Sequence, residues 1–473
     1  MKRHRLALLI STLLLAGCAA GPDYQRPDTP LPAHWAEAPQ DNSPWQVASP
    51  QDKEARGAWW QVFGDPVLDQ LEQQALSGSF TLQIALARVE QARGLLGIAT
   101  SANSPSIDLG ERSTRTRSSA NRPSTGSGAV SSTLQNDHVL SLGVSYEVDL
   151  FGRIRRDVEA NSAGLEQAEA DLENARLILT SDVASTYFAL RTQEADIALL
   201  QQATELQAKT LELVQSRYKL GAVSGLDLAQ QELLLGNTRS QWHLAQRLQA
   251  QQQHALATLL GVDAGALTIA EGRLPATLPT VPPLLPADLL QRRPDIASSE
   301  RAVAAANAQI GVARSAWFPA LRISANDGVE SKVWGSLLEA PSNTWALGLA
   351  FSQMLYDGGR TRSRVAQAEA GHQLATASYR LTVLKALQEV EDGLASRRTL
   401  SAATEEARRA ATAGDKAAAI TGTRYKLGAA TALEHLVTEQ NALSTRRQLQ
   451  QLEGQQWANA VFLIKALGGS WQQ

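Results

Sequence analysis

The string Tyr218-Lys219-Leu220-Gly221-Ala222 returns verbatim as Tyr425-Lys426-Leu427-Gly428-Ala429, an offset of 207 (425 − 218). Two further landmarks return in the same order. Leu142-Gly143-Val144 is answered by Leu347-Gly348-Leu349, and Gly97-Ile98-Ala99 with Pro105 by Gly311-Val312-Ala313 with Pro319. The offsets drift between landmarks, at 207, 205 (347 − 142) and 214 (311 − 97), which is the mark of a duplication whose loops have since changed length. A chain built from two copies of one unit must fold each copy in the same way. The repeats are expected at 65–265 and 286–468, each reading as a helix, two strands and a long helical hairpin, with a linker at 266–285 and a tail at 469–473.

The second strand of each copy carries the clearest local pattern. Leu140, Leu142, Val144, Tyr146, Val148 and Leu150 alternate with Ser141, Gly143, Ser145, Glu147 and Asp149. In the second copy Trp345, Leu347, Leu349 and Phe351 alternate with Ala346, Gly348, Ala350 and Ser352. Period-two alternation places every apolar side chain on one face of a sheet. It suits a half-buried strand of a soluble sheet, and equally a membrane strand with lipid outside and small or polar groups inside. First strands precede these, with Ile107 and Leu109 matched by Leu321 and Ile323. Polar loops around 113–136 and 326–343 join the strands of each pair.

The N-terminus favours the membrane reading. Lys2, Arg3 and Arg5 precede an apolar core from Leu6 to Leu15, which is too short to span a bilayer and reads as an export signal over 1–17. It ends in Leu15-Ala16-Gly17-Cys18, which resembles the lipobox of bacterial lipoproteins. Cys18 is then the expected lipidation site, carrying a covalent N-acyl diacylglycerol at the head of an acylated extended segment, 18–64. As Cys18 is the only cysteine, no disulfide forms within one chain. Ala19 and Ala20 follow it, without the Asp that holds such proteins in the inner membrane, so the address implied is the outer membrane of a Gram-negative cell. No later apolar run reaches the ~20 residues of a membrane helix, so any span is made of strands. Four strands per chain are too few to close a barrel, and open edges in lipid leave backbone groups unpaired. The chain must therefore assemble with copies of itself; three would give twelve strands.

Pro-free, helix-compatible sequence runs from Arg153 to Leu220 and from Thr361 to Leu427. Helices of that length are on the order of 100 Å long. Leucines at seven-residue spacing (Leu165, Leu172, Leu179, then Leu199, Leu206, Leu213, Leu220, with Leu374 and Leu381 in the second copy) predict helices coiled side by side through these leucines. The register breaks around Tyr187 and Leu190. Gly221–Gly225 and 428–431 then reverse the chain into second helices.

Other function classes find little support. A net charge of −3 with 19% charged residues lacks the basic face of a nucleic-acid binder. The seven histidines show no metal-ligand spacing, and neither a catalytic constellation nor a metal site is expected. Asp149-Leu150-Phe151-Gly152 lacks the Lys strand and Gly-rich loop of a kinase. Two methionines offer no soft-ligand ladder for copper or silver.

Taken together, Leu15-Ala16-Gly17-Cys18 with 21–27, Trp59-Trp60 with Phe63 and Asp65-Pro66, Asp149–Arg153, Arg292-Arg293-Pro294-Asp295-Ile296 and both Tyr-Lys-Leu-Gly tips resemble the TolC-type outer-membrane efflux channels, in particular the acylated drug-efflux lipoproteins. The resemblance implies an α+β membrane protein, a homotrimer whose twelve-stranded β-barrel continues into a twelve-helix periplasmic α-barrel. It implies a passive exit duct for drugs, with a periplasmic adaptor and an inner-membrane RND transporter as partners. Exit ducts for type I protein secretion or metal-ion efflux share the fold and are the alternative; a purely structural envelope lipoprotein is a further one. By resemblance the periplasmic gate involves Arg217, Tyr218, Asp227, Arg424, Tyr425 and Glu434, and the adaptor meets the tips at Leu220, Gly221, Leu427 and Gly428. Relatives often ring the aperture with Asp at the second tip, where this chain has Ala430 and Val437, with Glu434 and Glu439 nearby.

Overall fold

The computed structural model describes residues 20–28, 32, 35–37, 57–121, 132–275, 277–279 and 292–469. Cys18 and the signal segment lie outside the described residues. Helices α1 (Pro66–Gly78) and α2 (Phe80–Ser101) lead into strands β1 (Ser106–Arg117) and β2 (Leu134–Val148), and a hairpin of α3 (Arg153–Lys219) and α4 (Gly225–Leu260) follows. The second copy repeats the order with α5 (Pro294–Ser315), β3 (Ala320–Ser331), β4 (Asn343–Ser352), α6 (Arg360–Lys426) and α7 (Ala432–Ala466). Helices α3 and α6 each run 67 residues. The chain forms two units: 1–28, 89–168 and 299–379 hold the strands, and 29–88, 169–298 and 380–473 hold the hairpin ends and the main apolar core.

Three expectations are corrected. The first helical segment is two helices, because Ser79 at the α1 C-cap adopts an extended ψ of 125°. The strands run further than the alternating apolar residues: β1 continues to Arg117 and β3 to Ser331, because pairing with β2 carries the ladder on through residues of low intrinsic strand preference. The third concerns the coil. Leu206, Leu213 and Leu220 are exposed within the chain, as are Leu374, Leu381 and Leu384. The seam that α3 buries in its own chain lies one residue further on, at Leu200, Gln207 and Val214, and in α6 it is Tyr379, Val383, Ala386 and Val390. Both stripes have seven-residue spacing, so the leucine stripe is left free for a neighbour.

The break at Tyr187 has a cause. There α3 enters a core of Trp59, Trp60, Phe63, Leu68, Leu71, Tyr187, Phe188, Leu190, Leu256, Leu260, Trp457 and Ile464. Phe188 packs 4.9 Å from both Phe63 and Trp457. Bulky side chains on consecutive residues cannot all sit in a two-residue-per-heptad seam, and here they are surrounded instead. The start of α1 is fixed by Pro66 at its first turn and by Asp65, whose side chain accepts from Val67 N and Leu68 N and also from the Tyr187 hydroxyl at 2.6 Å. The α1 and α4 termini abut so closely that a Cβ on Gly261, which sits at φ 72°, would lie 2.3 Å from the Gly78 carbonyl oxygen. The linker is held in turn: buried Arg191 pairs with Glu194 at 2.6 Å and donates to Ala270 O.

Glu72 is wholly buried on α1, and both of its carboxylate oxygens lack a hydrogen-bond partner among the described residues. Burial, with the Asp69 charge adding to it, pushes its carboxyl up from 4.5 to about 9. A raised folded-state value means stability that is complete below about pH 4.5 and is lost as pH rises through about 9. The thermal midpoint of the purified protein therefore falls across that window. Glu72→Gln flattens the profile and stabilises the alkaline end by about 1–3 kcal/mol, as thermal melts over a pH series would register.

Candidate functional site: lumen, rim and aperture

The sheet has the order β1-β2-β3-β4, antiparallel throughout. Its register sorts the side chains into two faces. On one, cross-strand rows read Val148–Leu321–Phe351, Tyr146–Ile323–Leu349, Ile107–Val144–Ala325–Leu347 and Leu109–Leu142–Asp327–Trp345. Asp327 is the one carboxylate in these rows. On the other face the rows are Ser106–Ser145–Ser324–Gly348, Asp108–Gly143–Asn326–Ala346, Gly110–Ser141–Gly328–Thr344 and Glu147–Arg322–Ala350. A Cβ at Gly143 would come 2.8 Å from Asp108 Oδ2, so glycine there leaves the carboxylate its space.

The apolar face is bare: Trp345, Leu347, Leu349 and Phe351 are 67–77% exposed within the chain. Water does not tolerate so large an apolar patch, and lipid does. Both outer edges of the sheet, on β1 and β4, lack a strand partner among the described residues. Pairing each β1 with the β4 of another copy satisfies both edges at once and closes a barrel whose small polar face lines the lumen.

Where the strands meet the helices, apolar and aromatic side chains form a rim. Phe151 stacks on Phe318 with ring centroids 4.8 Å apart, and Trp317, Leu355 and Tyr356 are exposed beside the strand ends. Aromatic residues gather at this depth because a ring and a polar tip suit the membrane–water boundary. The start of the described chain is tied here. Ala20 N donates to Phe151 O at 3.0 Å, Arg156 Nε donates to Ala20 O, and Asn307 Nδ2 to Pro22 O. Arg156 also bridges Asp23 and Glu159, each at 2.7 Å.

The hairpin tips are built twice by the same local bonds. Gly221 and Gly428 sit at φ 71° and 72° and end α3 and α6. Ala222 N donates to Arg217 O and Gly221 N to Tyr218 O, with Ala429 to Arg424 and Gly428 to Tyr425 in the second copy. This is the Schellman pattern. Capping boxes then start the return helices. Asp227 and Ser224 bond reciprocally, as do Glu434 and Thr431. The backbone N–H of Thr431 holds the Glu434 carboxyl below its ordinary range. The residues singled out for the gate are thus placed as follows. Asp227 and Glu434 cap helices, Tyr218 packs against Gly225, and Arg424 Nη2 donates to Ala429 O. Arg217 reaches across to the second hairpin, its guanidinium carbon 5.5 Å from the Tyr425 ring centre. Leu220 and Leu427 are 83% and 78% exposed at the turns.

Two contributors escape sequence reasoning. His435 stacks on Tyr425, with ring centres 5.2 Å apart. Comparing the two capping boxes would have exposed it, since Leu228 holds the matching place in the first copy. Further along the hairpins, Arg447 clamps Asp196 through two bonds of 2.6 and 2.9 Å and reaches Gln241 at 2.7 Å, binding α7, α3 and α4 together. No motif announces a pair separated by 251 residues.

With the sheet and tips described, comparison with known proteins is direct. A family model described as "Outer membrane efflux protein" matches residues 71–262 and 285–469. The chain belongs to the outer membrane efflux protein family. Family members are channels, and the fold is that of trimeric outer-membrane ducts with four strands from each chain. Two Pseudomonas putida relatives, named "Toluene efflux pump outer membrane protein TtgC" and "Antibiotic efflux pump outer membrane protein ArpC", are each 31% identical over 475 residues, covering 100% of this chain and 97% of their own. The solved outer-membrane channel OprN superposes with a TM-score of 0.87 at 29% identity, covering 96% of this chain and 100% of that one.

If Arg217 and Arg424 hold the tips of this efflux protein together, replacing both with Ala raises single-channel conductance in planar bilayers several-fold. Conductance equal to wild type would remove them from the gate.

Proposed function

We propose that the chain is the exit duct of a tripartite RND-type efflux pump, carrying drugs and other small molecules passively across the periplasm and outer membrane. The observation that carries this reading is the four-stranded sheet with a bare apolar face, a polar opposite face and two unpartnered edges, followed in each repeat by a 67-residue helix. Such a sheet makes sense only as a quarter-turn-or-more of a shared barrel in lipid, and helices on the order of 100 Å extend the pore well beyond the bilayer.

A passive duct needs partners for energy and substrate choice. We assign these to an inner-membrane transporter and to a periplasmic adaptor that meets the turns at Leu220, Gly221, Leu427 and Gly428. Arg217, Tyr218, Asp227, Arg424, Tyr425 and Glu434 form the candidate aperture. Within that group the Arg217–Tyr425 contact is the element joining the two hairpins, while the carboxylates act by fixing the turns. The names of the relatives favour toluene-like solvents and antibiotics over proteins or metal ions as cargo. Cys18 is assigned the N-acyl diacylglycerol anchor; the tethering of Ala20, two residues further on, at the rim supports this.

Deleting the gene should raise cellular accumulation of a hydrophobic cationic dye several-fold and lower resistance to apolar antibiotics, with both restored by the wild-type chain. Unaltered accumulation on deletion would overturn the duct reading. Cys18→Ser should lose the lipid, seen as a mass difference in the intact protein, while still forming trimers, because the barrel inserts on its own apolar face. Failure of this variant to insert at all would show that the barrel depends on the anchor.

A further inference from the structure

The far end of the β1–β2 hairpin carries an unusual charge distribution. Between Glu111 and Asp137 the sequence holds four arginines, at 112, 115, 117 and 122, and no acidic residue. The strand register divides the three that lie on β1. Arg112 falls on the polar, lumenal face and pairs with Asp137 at 3.5 Å. Arg115 and Arg117 fall on the other face, in line with Ile107 and Leu109, opposite Asn136 and Leu134. They therefore stand on the lipid-facing surface beyond its apolar rows, separated from them by Glu111, whose carboxylate accepts from Ser113 Oγ at 2.7 Å, and by Ser113.

The residues between mark a boundary. Trp345 closes the last apolar row, and the Trp334 ring packs tilted against His138 with centroids 4.6 Å apart, both tryptophans being more than half exposed. His138 in turn is bonded to Ser113. Aromatic residues at the edge of an apolar band mark the depth where acyl chains give way to headgroups. Arg115 lies two residues beyond Ser113, the partner of His138, about 7 Å along the strand, which puts it among those headgroups. Neither arginine has a carboxylate partner among the described residues. Arg117 Nε donates to Ser132 Oγ at 3.1 Å, which holds the stem and leaves the rest of the guanidinium free.

We infer that Arg115 and Arg117 form a surface site for the phosphates of lipid A, the glycolipid of the outer leaflet, with its acyl chains lying along Leu109, Leu142 and Trp345. The inference rests on the duct reading for the orientation of the hairpin: both strands join helices at their other ends, so this end faces outward. Charge complementarity selects the occupant. A guanidinium binds phosphate through two parallel N–H···O bonds, and two of them side by side suit a headgroup with more than one phosphate. An acidic protein partner would not also supply alkyl chains for the rows beneath.

The test uses purified full-length trimer, titrated with lipid A and separately with phosphatidylglycerol, and read by native mass spectrometry. Arg115→Gln with Arg117→Gln should weaken lipid A binding about tenfold or more, since each basic residue near an anionic lipid surface contributes about fivefold. Arg115→Lys with Arg117→Lys should retain a part of it, and Arg112→Gln, on the lumenal face, should leave it as in wild type. Equal lipid A binding by the wild-type and Gln proteins overturns the inference. So does phosphatidylglycerol binding as tightly as lipid A, which would make the patch a general anionic one. The duct reading fails separately, if wild-type trimer carries no ion current in planar bilayers.

Discussion

Everything in this chain answers to the unpaired backbone of two strand edges. In water an edge strand can be hydrated; in hydrocarbon each orphaned N–H or C=O costs several kcal/mol. With four strands, β1 and β4 present such edges on a sheet whose outward rows are already apolar. The edges fix the need for other copies, and the copies fix what the rest of the surface must do. Leu206, Leu213 and Leu220 stand exposed beside the buried seam of Leu200, Gln207 and Val214 because α3 has neighbours on two sides, one within its own chain and one outside it.

The duplication makes that economy possible. Each repeat contributes a strand pair and a hairpin, and β2 against β3 joins the two copies edge to edge. The lumenal rows show the same selection in both: Gly143 and Gly348 occupy matching places, each under a polar side chain, Asp108 or Ser324. The middle of the hairpins departs from coiling, because the segments 57–78 and 263–275 are laid against them and a core of Trp59, Trp60, Phe63, Phe188 and Trp457 fills the space.

Much of this was legible from residues alone. Alternation over Leu140–Leu150 fixed the second strand and its lipid face, and the repeated Tyr-Lys-Leu-Gly fixed both turns. What was hidden was hidden for physical reasons. A seven-residue period reports spacing and is silent on which of two adjacent stripes faces the same chain, so the leucines did not reveal that Leu200, Gln207 and Val214 are the ones buried within it. Arg447 and Asp196 meet only because three helices pack together, and no local pattern encodes that. At the tips, resemblance pointed to Asp227 and Glu434 as gate residues, and their position three residues after Ser224 and Thr431 makes them capping residues as well. His435 was overlooked because a single histidine has no period.

The tip turns carry a mechanical consequence. Each is closed by a Schellman pair on one side and a reciprocal box on the other, all between residues within five of one another. A turn so completely satisfied by its own atoms gains nothing by rearranging, and it behaves as a stiff rod-end. Under the proposed gate, widening would be borne further up, by helices rolling over one another. Along the buried faces of α3 there, Thr204 Oγ1 and Gln207 Oε1 lie without hydrogen-bond partners among the described residues. A seam with loose polar contacts can slip, and the turns would ride on it unchanged.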